Sequence, residues 1–205
     1  KLFEEAKAHL KQIIDDQVFS PQAVYGIWPA NRVGNDIELY TETTQQTVLE
    51  TFHFLRQQKS RKNVPLLCLA DFLRSKDQSI DYIGAFAVTM GHKAEDYAKQ
   101  YQDAGDDYTS IMVKALADRL VEALAEMLHE DIRKLWGFGE NPRLSPEQLI
   151  KEKYRSIRPA PGYPACPDHS EKLKLWELLQ VEAHTGIQLT ENFAMSPQSS
   201  ISGYY

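Results

Sequence analysis

The chain has 205 residues, 42% of them hydrophobic and 25% charged, enough to bury a sizeable core as one domain or as one domain with a small subdomain. A formal net charge of -6 argues against nucleic acid and anionic membranes as partners, because both select for basic surfaces. No leader pattern and no apolar run long enough to cross a bilayer is present. Cys68 and Cys166 lie far apart in sequence, which gives no disulfide framework and suits a reducing, cytoplasmic location.

The two ends of the sequence suggest a piece of a larger protein. The first residue is Lys1 and not a methionine, and the last residues, SSISGYY, read as a strand that stops early. We therefore expect residues 1–205 to be a single domain, taken from a larger multidomain chain and truncated at its C-terminus.

The apolar pattern predicts an α+β fold and not a doubly wound sheet, because strands and helices alternate irregularly. Short apolar, β-rich stretches predict strands at residues 23–28, 37–40, 66–72 and 81–89. Apolar residues that recur every three or four positions predict helices at residues 2–16, 44–58, 94–104 and 110–135. The side chains expected to be buried by the second and fourth of these helices are Val48, Leu49, Phe52 and Leu55, and Met112, Leu116, Leu120, Leu124, Met127 and Leu128.

Two capping motifs predict further helix starts. Residues 145–148, Ser-Pro-Glu-Gln, combine an N-cap serine, a proline at the first helical position and the glutamine of a capping box. Asp168 is the expected N-cap of a later helix that carries Trp176, and Glu171 is expected to complete a second capping box.

A proline-rich segment, RPAPGYPACPDHSEK at residues 158–172, is the most informative part of the chain. Each proline fixes its own φ, lacks an N–H donor and biases the preceding residue toward extended geometry, so neither a helix nor a central strand can pass through. The segment is predicted to be a polyproline-like ribbon without hydrogen bonds to itself. Backbone groups would then be available to a ligand at Arg158, Ala160, Gly162 and Tyr163. The alternative is a rigid loop that only joins two helices.

A row of carboxylates on the predicted long helix is a second place where a ligand could bind. Asp118, Glu122, Glu126 and Glu130 recur every four residues, where like charges repel by roughly 0.2–0.5 kcal/mol per pair. One explanation is that one carboxylate faces a positively charged ligand. The other is a solvated face whose repulsion is relieved by nearby cations. Those cations are Lys114, Arg119, Arg133 and Lys134.

Long segments of the chain resemble the reactivation domain of cobalamin-dependent methionine synthases. In that family a segment of the form RxxxGYPACPxH lines the S-adenosylmethionine site, and Arg158, Gly162 and Tyr163 occupy its key positions. The resemblance continues in order through GIWPANRVGNDIELY (26–40), LADF (69–72), DYIGAFAVT (81–89), DDYTSIMVKALADRL (106–120) and WELLQVEAHTGIQLTENFAM (176–195). It implies the fold of that domain, a mixed and largely antiparallel sheet with flanking helices.

The resemblance also implies a set of ligand-binding residues. S-Adenosylmethionine carries a sulfonium and an ammonium beside one carboxylate, so its pocket needs acidic groups and a guanidinium. Arg158 matches the guanidinium, while Glu122 and Glu152 match the family's acidic residues by their spacing to it. Asp36 matches the ammonium ligand. The predicted cofactor-binding set is Asp36, Glu122, Glu152, Arg158, Ala160, Gly162 and Tyr163, with no catalytic residue.

The function implied by the resemblance is the reactivation of methionine synthase, a methyltransferase that moves a methyl group from 5-methyltetrahydrofolate to homocysteine through cobalamin. The cobalamin is occasionally oxidised to an inactive form. The domain would then dock over the cobalamin, which is bound mainly by a neighbouring domain of the same chain. Flavodoxin or a related flavoprotein reductase would supply an electron, and S-adenosylmethionine the methyl group. The isolated domain would lack the homocysteine, folate and cobalamin sites. The alternative is a stand-alone module for S-adenosylmethionine or another zwitterion.

Other kinds of site find less support in the sequence. Cys166 and His169 have the spacing of two metal ligands, but no second Cys/His pair completes a zinc site, so no metal is expected. His129 and His184 stand in helical contexts without a nearby nucleophile, which indicates packed or surface histidines. No GxGxxG turn and no Walker loop is present. The cobalamin motif DxHxxG is absent as well.

Overall fold

The computed structural model describes residues 1–59 and 65–205, which form two compact units. The first unit comprises Lys1–Ala23, Ala87–Ser156 and Glu182–Ile201 and is mainly helical. The second comprises Val24–Phe86, Ile157–Val181 and Ser202–Tyr205 and holds most of the main sheet. The expectation of a single domain cut from a longer chain stays a prediction.

The strands form one large and one small sheet. Their bounds are β1 (Gln22–Val33), β2 (Asp36–Tyr40), β3 (Val48–His53), β4 (Asp81–Thr89), β5 (Gln188–Leu189), β6 (Met195–Ser196) and β7 (Ser200–Tyr204). The large sheet has the order β3-β2-β1-β4-β7, and β5 pairs with β6. The β1–β2 and β2–β3 pairs are antiparallel. Gly84 and Tyr205 exchange both backbone hydrogen bonds, at 2.9 and 3.2 Å, which is an antiparallel pattern.

The core of the second unit is aromatic and aliphatic. Ile37 of β2 lies opposite Phe52 of β3, and both are buried. The Tyr204 ring meets the rings of Phe52 and Phe54 edge-on, with centroid distances of 5.2 and 5.4 Å. Such contacts add about 0.5–1.5 kcal/mol beyond the burial of area. They join the last strand to Phe52 of β3 and to Phe54 just after it.

The helix predicted at residues 44–58 is wrong, because this stretch contains strand β3. Val48, Leu49 and Leu55 were expected to be buried and are 44%, 44% and 56% exposed. Pairing with β2 outweighs the weak helix preference of the stretch. The alternation Thr-Phe-His-Phe at residues 51–54 was the available signal of a strand.

The strand predicted at residues 66–72 is also wrong, whereas the strand predicted at 81–89 is confirmed as β4. Leu69–Phe72 is a 3-10 helix. Asp71 Oδ2 accepts a hydrogen bond from the backbone N–H of Cys68 at 3.0 Å. A side chain that caps its own turn in this way competes with strand pairing.

Three helices build most of the first unit: α1 (Leu2–Asp15), α2 (His92–Asp103) and α3 (Asp107–Leu135), with α1 and α2 packed on α3. The buried face of α3 carries the small residues Val113, Ala117, Val121 and Ala125. These short side chains allow close packing of α2, whose Ala94 and Ala98 are buried.

The inner face predicted for α3 is therefore only partly right. Met112 is buried, but Met127 is 52% exposed. The four predicted leucines, Leu116, Leu120, Leu124 and Leu128, are half-buried at the side of the helix. Two of them line an apolar groove of about 540 Å³ between α1 and α3. The sequence located the apolar stripe but not the narrower face of small residues beside it.

The capping predictions are partly confirmed. Ser145 and Gln148 form the predicted capping box at the start of α4 (Pro146–Ile150). Asp168 is an N-cap, but of the 3-10 turn His169–Glu171, which α5 (Lys172–Leu179) and α6 (Val181–Thr185) follow. Glu171 does not complete a second box, because its carboxylate accepts from His53 N at 3.0 Å and pairs with Lys174.

Candidate functional site

The proline-rich segment, residues 158–172, lies in the second unit and is folded on itself. Tyr163 N donates to Ala160 O at 3.1 Å, and Cys166 N donates to Tyr163 O at 2.9 Å. Gly162 N donates to Cys166 O at 2.9 Å. The prediction of a ribbon without internal hydrogen bonds was wrong, because tight turns form between the prolines. These backbone groups already have partners within the protein.

Gly162 is needed for a contact inside the segment. Its φ of +105° is a conformation that L side chains rarely adopt. A Cβ at this position would lie 2.4 Å from Cε1 of His169. The close approach that the sequence assigned to a ligand is therefore made by the His169 imidazole.

Backbone hydrogen bonds fix the segment to its own unit. Tyr204 N donates to Pro159 O at 2.9 Å, and Leu69 N donates to Ala165 O at 2.8 Å. A Cβ on Gly203 would lie 2.5 Å from Pro159 O, so this approach requires glycine. The segment thus has a fixed backbone. Its surface includes Tyr163, which is 58% exposed, and the half-buried Arg158.

Asp36 begins β2 in the same unit, at the turn of the β1–β2 hairpin. Its Oδ2 lies 3.1 Å from Nδ1 of His53, and its side chain is 40% exposed. A ligand ammonium would have to compete with this imidazole for the carboxylate.

The other two predicted acidic residues lie in the first unit. Glu122 is exposed on α3, and Glu152 is exposed just after α4. The structure therefore brings Arg158, Ala160, Gly162 and Tyr163 together on one segment, with Asp36 elsewhere in that unit. It places Glu122 and Glu152 in the other unit.

The carboxylate row on α3 divides into two halves. Glu130 is 3% exposed and pairs with Lys134 and Arg143, each at 2.8 Å. Burial raises its pKa, but hydrogen bonds from Lys134 and Arg143 lower it more, so the net shift is downward. Glu126 Oε1 lies 3.8 Å from Arg133 Nη1. Glu126 and Glu130 are thus paired with cations of the protein, whereas Asp118 and Glu122 are exposed.

Glu152 has a backbone conformation that the sequence did not predict. Its φ is +50°, in the left-handed region. Glu152 N donates to Leu149 O at 2.9 Å and Lys153 N donates to Gln148 O at 3.0 Å, the paired bonds of a Schellman motif. Glycine is usual at this position, because a side chain there costs about 1 kcal/mol. Gln17, after α1, has the same positive φ and the same pair of backbone bonds, so the missing glycine alone does not mark a site.

A family model described as the activation domain of vitamin B12-dependent methionine synthase matches residues 1–205. The chain belongs to this family. The activation domain is also similar to a solved structure, the MetH reactivation domain bound to AdoHcy, with a TM-score of 0.94 and 52% sequence identity. The match covers 100% of this chain and 63% of the other, so the chain spans less than two thirds of the solved one.

These comparisons confirm the family and the α+β fold that the sequence predicted. A match of one activation-domain model to the whole chain favours a methionine synthase domain over a stand-alone module.

Within residues 1–59 and 65–205, no group of three or more His, Cys, Asp or Glu side chains could hold a metal ion. The Cys166 thiol donates to Ala160 O at 3.0 Å, and burial raises its pKa to about 11, so it is protonated at neutral pH. Among the helices in the described part of the domain, none is long and apolar enough to cross a membrane.

Proposed function

We propose that this activation domain binds S-adenosylmethionine and supports the reductive methylation of cobalamin in a cobalamin-dependent methionine synthase. The observation that carries the proposal is the likeness, at 52% identity over the whole chain, to a reactivation domain bound to AdoHcy. S-Adenosylhomocysteine is what remains of S-adenosylmethionine after its methyl group has been donated. A site that accommodates the first compound therefore suits the second.

The charges of the candidate residues fit this ligand. The guanidinium of Arg158 can hold the ligand carboxylate through two parallel N–H donors. Glu122 and Glu152 supply negative charge for the sulfonium and the ammonium. Asp36 has the same charge, but its contact with His53 at 3.1 Å makes it the weakest of the acidic candidates.

Ala160, Gly162 and Tyr163 act through the shape of the segment. Ala160 O, Gly162 N and both backbone groups of Tyr163 are hydrogen-bonded inside the segment, so these groups shape the surface and do not face the ligand as open donors or acceptors. The exposed Tyr163 ring offers a flat surface for a planar part of the ligand.

Orientation is the task of the domain in the reaction. Cobalamin, when bound by a neighbouring domain of the same chain, supplies the nucleophile that takes the methyl group. Arg158 and the carboxylates hold the amino-acid part of the ligand, which fixes the direction of its methyl carbon. Good positioning of two reactants can contribute about 7–11 kcal/mol. No residue has to move a proton, because the sulfonium leaves as a neutral thioether. Flavodoxin or a related flavoprotein is the proposed electron donor, and the cytoplasm the proposed location.

Calorimetric titration tests the binding part of the proposal. We expect saturable heats with S-adenosylmethionine and S-adenosylhomocysteine and none with ATP, which shares only the adenosine part. Absence of S-adenosylmethionine binding, or equal binding of ATP, would contradict the proposal.

The methylation part needs the complete enzyme that contains this domain. With oxidised cobalamin, a reductant and methyl-labelled S-adenosylmethionine, we expect label on the cobalamin of the intact enzyme. An enzyme lacking residues 1–205 should acquire none. Labelling that does not depend on the domain would exclude the proposed role.

A further inference from the structure

We infer that a group of buried and half-buried side chains beside the second half of α3 is a positioning device that helps to hold Glu152 in its left-handed conformation for ligand binding. The group, named the α3 cluster, consists of Glu126, His129, Arg133, Tyr154 and Ser156, all in the first unit. The inference rests on the proposed function, because it assigns a role to the supports of one proposed ligand residue.

The Tyr154 ring is the centre of the α3 cluster. The guanidinium carbon of Arg133 lies 4.0 Å from the centroid of this ring, and the His129 ring meets it edge-on at 5.1 Å. The Tyr154 hydroxyl donates to Glu126 Oε2 at 3.4 Å. Two residues later, Ser156 Oγ lies 3.0 Å from Nε2 of His129. Tyr154 and Ser156 therefore fasten the chain to α3 just after Glu152.

Stability alone does not account for the cluster. Arg133 and His129 are both 0% exposed. Nε of Arg133 donates to Glu140 at 3.1 Å, but its Nη1 and Nη2 atoms have no hydrogen-bond partner among the described residues. Replacing such an incompletely satisfied buried cation by apolar residues is often neutral or stabilising. A buried guanidinium under a tyrosine ring is better explained by the conformation that it imposes.

Backbone strain lies next to the cluster on both sides of Tyr154. Glu152 has a φ of +50° and Ser156 a φ of +153°, both in the region that favours glycine. Strained non-glycine residues persist where the surroundings over-determine them, and they concentrate at functional sites. The paired backbone bonds at the end of α4 form the turn at Glu152, and the α3 cluster anchors the residues that follow this turn.

A melting cycle tests the restraint without any ligand. Glu152→Gly should raise the melting temperature of this chain by about 2–4 °C, because glycine removes the left-handed strain. The same substitution should raise the melting temperature less when Tyr154→Leu is also present, since the released backbone can relax. If Tyr154→Leu does not fold, Ser156→Ala takes its place as the background. Gln180→Gly is the matched control. Gln180 has a φ of +48° in the second unit, so its gain should be the same in every background. If Glu152→Gly raises the melting temperature equally with and without the cluster substitution, the inference is overturned.

A binding cycle tests the role. Glu152→Gln and Tyr154→Leu should each weaken S-adenosylmethionine binding, on the order of tenfold. The double variant should be no more than about twofold weaker than either single variant, because both act through one carboxylate. The cluster is merely structural if Tyr154→Leu lowers the melting temperature but not the affinity. The same holds if the losses of affinity in the two single variants multiply in the double variant. If the unmodified chain does not bind the ligand, the proposed function fails, while the melting cycle still decides the restraint.

Discussion

Arg158 stands at the start of a segment whose backbone is fixed by hydrogen bonds to Leu69 and Tyr204. Replacing it by alanine removes the guanidinium without touching these bonds. We expect Arg158→Ala to weaken S-adenosylmethionine binding by about 1.5–3 kcal/mol, the range for a charged hydrogen bond. Lysine should restore the affinity only in part, because it cannot form two parallel bonds. Calorimetry measures the affinity and circular dichroism the fold. Unchanged affinity in a folded variant would remove Arg158 from the site.

Glu122 is the exposed acidic candidate on α3. If it faces the ligand, Glu122→Gln should weaken binding of cationic S-adenosylmethionine more than binding of S-adenosylhomocysteine, whose sulfur is neutral. Asp118→Asn is the control, because Asp118 is exposed one turn earlier in the same row. Glu126 cannot serve as control, since its carboxylate lies 3.8 Å from buried Arg133. Equal losses for the two ligands would show that Glu122 does not face the sulfonium.

Alanine substitutions at Gly162 and Gly34 distinguish the steric cost of an added Cβ from the conformational cost of a positive φ. Gly162→Ala introduces a Cβ 2.4 Å from His169 at a φ of +105°, whereas at Gly34, with φ +66°, no atom lies within 4 Å. We expect Gly34→Ala to cost about 1 kcal/mol of unfolding free energy and Gly162→Ala clearly more. Urea unfolding measures both. Equal costs would mean that the segment has room to shift.

Among the elements, those with a long and regular pattern could be predicted from sequence. β4 was found with its bounds because seven of its nine residues are apolar or β-favouring, and α3 because its apolar stripe runs for many turns. β3 was missed, because six residues carry little pattern and their pairing with β2 depends on distant sequence. The 3-10 turn at residues 69–72 was missed because Asp71, a single side chain, decides it.

The pair of Asp71 and Arg56 links this 3-10 turn to the stretch after β3 and predicts an acid dependence. A hydrogen bond from Arg56, 2.6 Å away, lowers the pKa of Asp71 to about 2. The unfolded value is about 3.9, so the stabilisation is complete above that pH and is lost as the pH falls toward 2. Asp71→Asn should therefore lower the stability at pH 7 and flatten its decline between about pH 4 and 2. Thermal melts at several pH values measure this, and an unchanged acid slope would contradict it.

At the scale of the whole molecule, the sequence marked the proline-rich segment as unusual but did not predict its backbone hydrogen bonds. The prolines marked residues 158–172 as a special segment, yet its attachment to the rest of its unit depends on hydrogen bonds with Leu69 and Tyr204, which no local pattern encodes. The α3 cluster escaped notice for the same reason. Its members are separated by up to about thirty positions, and only packing brings Tyr154 to Arg133.

The two buried thiols allow the opening of the second unit to be timed by chemical labelling. Cys68 is 0% and Cys166 2% exposed, and burial raises the pKa of both thiols. An alkylating reagent attacks the thiolate, so each cysteine should react only when its surroundings open. A ligand that holds the segment of Cys166 should slow that reaction, by about 100-fold at a hundred times the dissociation constant. Mass spectrometry can follow the two sites separately in one sample. Rapid labelling of Cys166 without ligand, at the rate of a free thiol, would mean that the segment spends much of its time detached from the sheet.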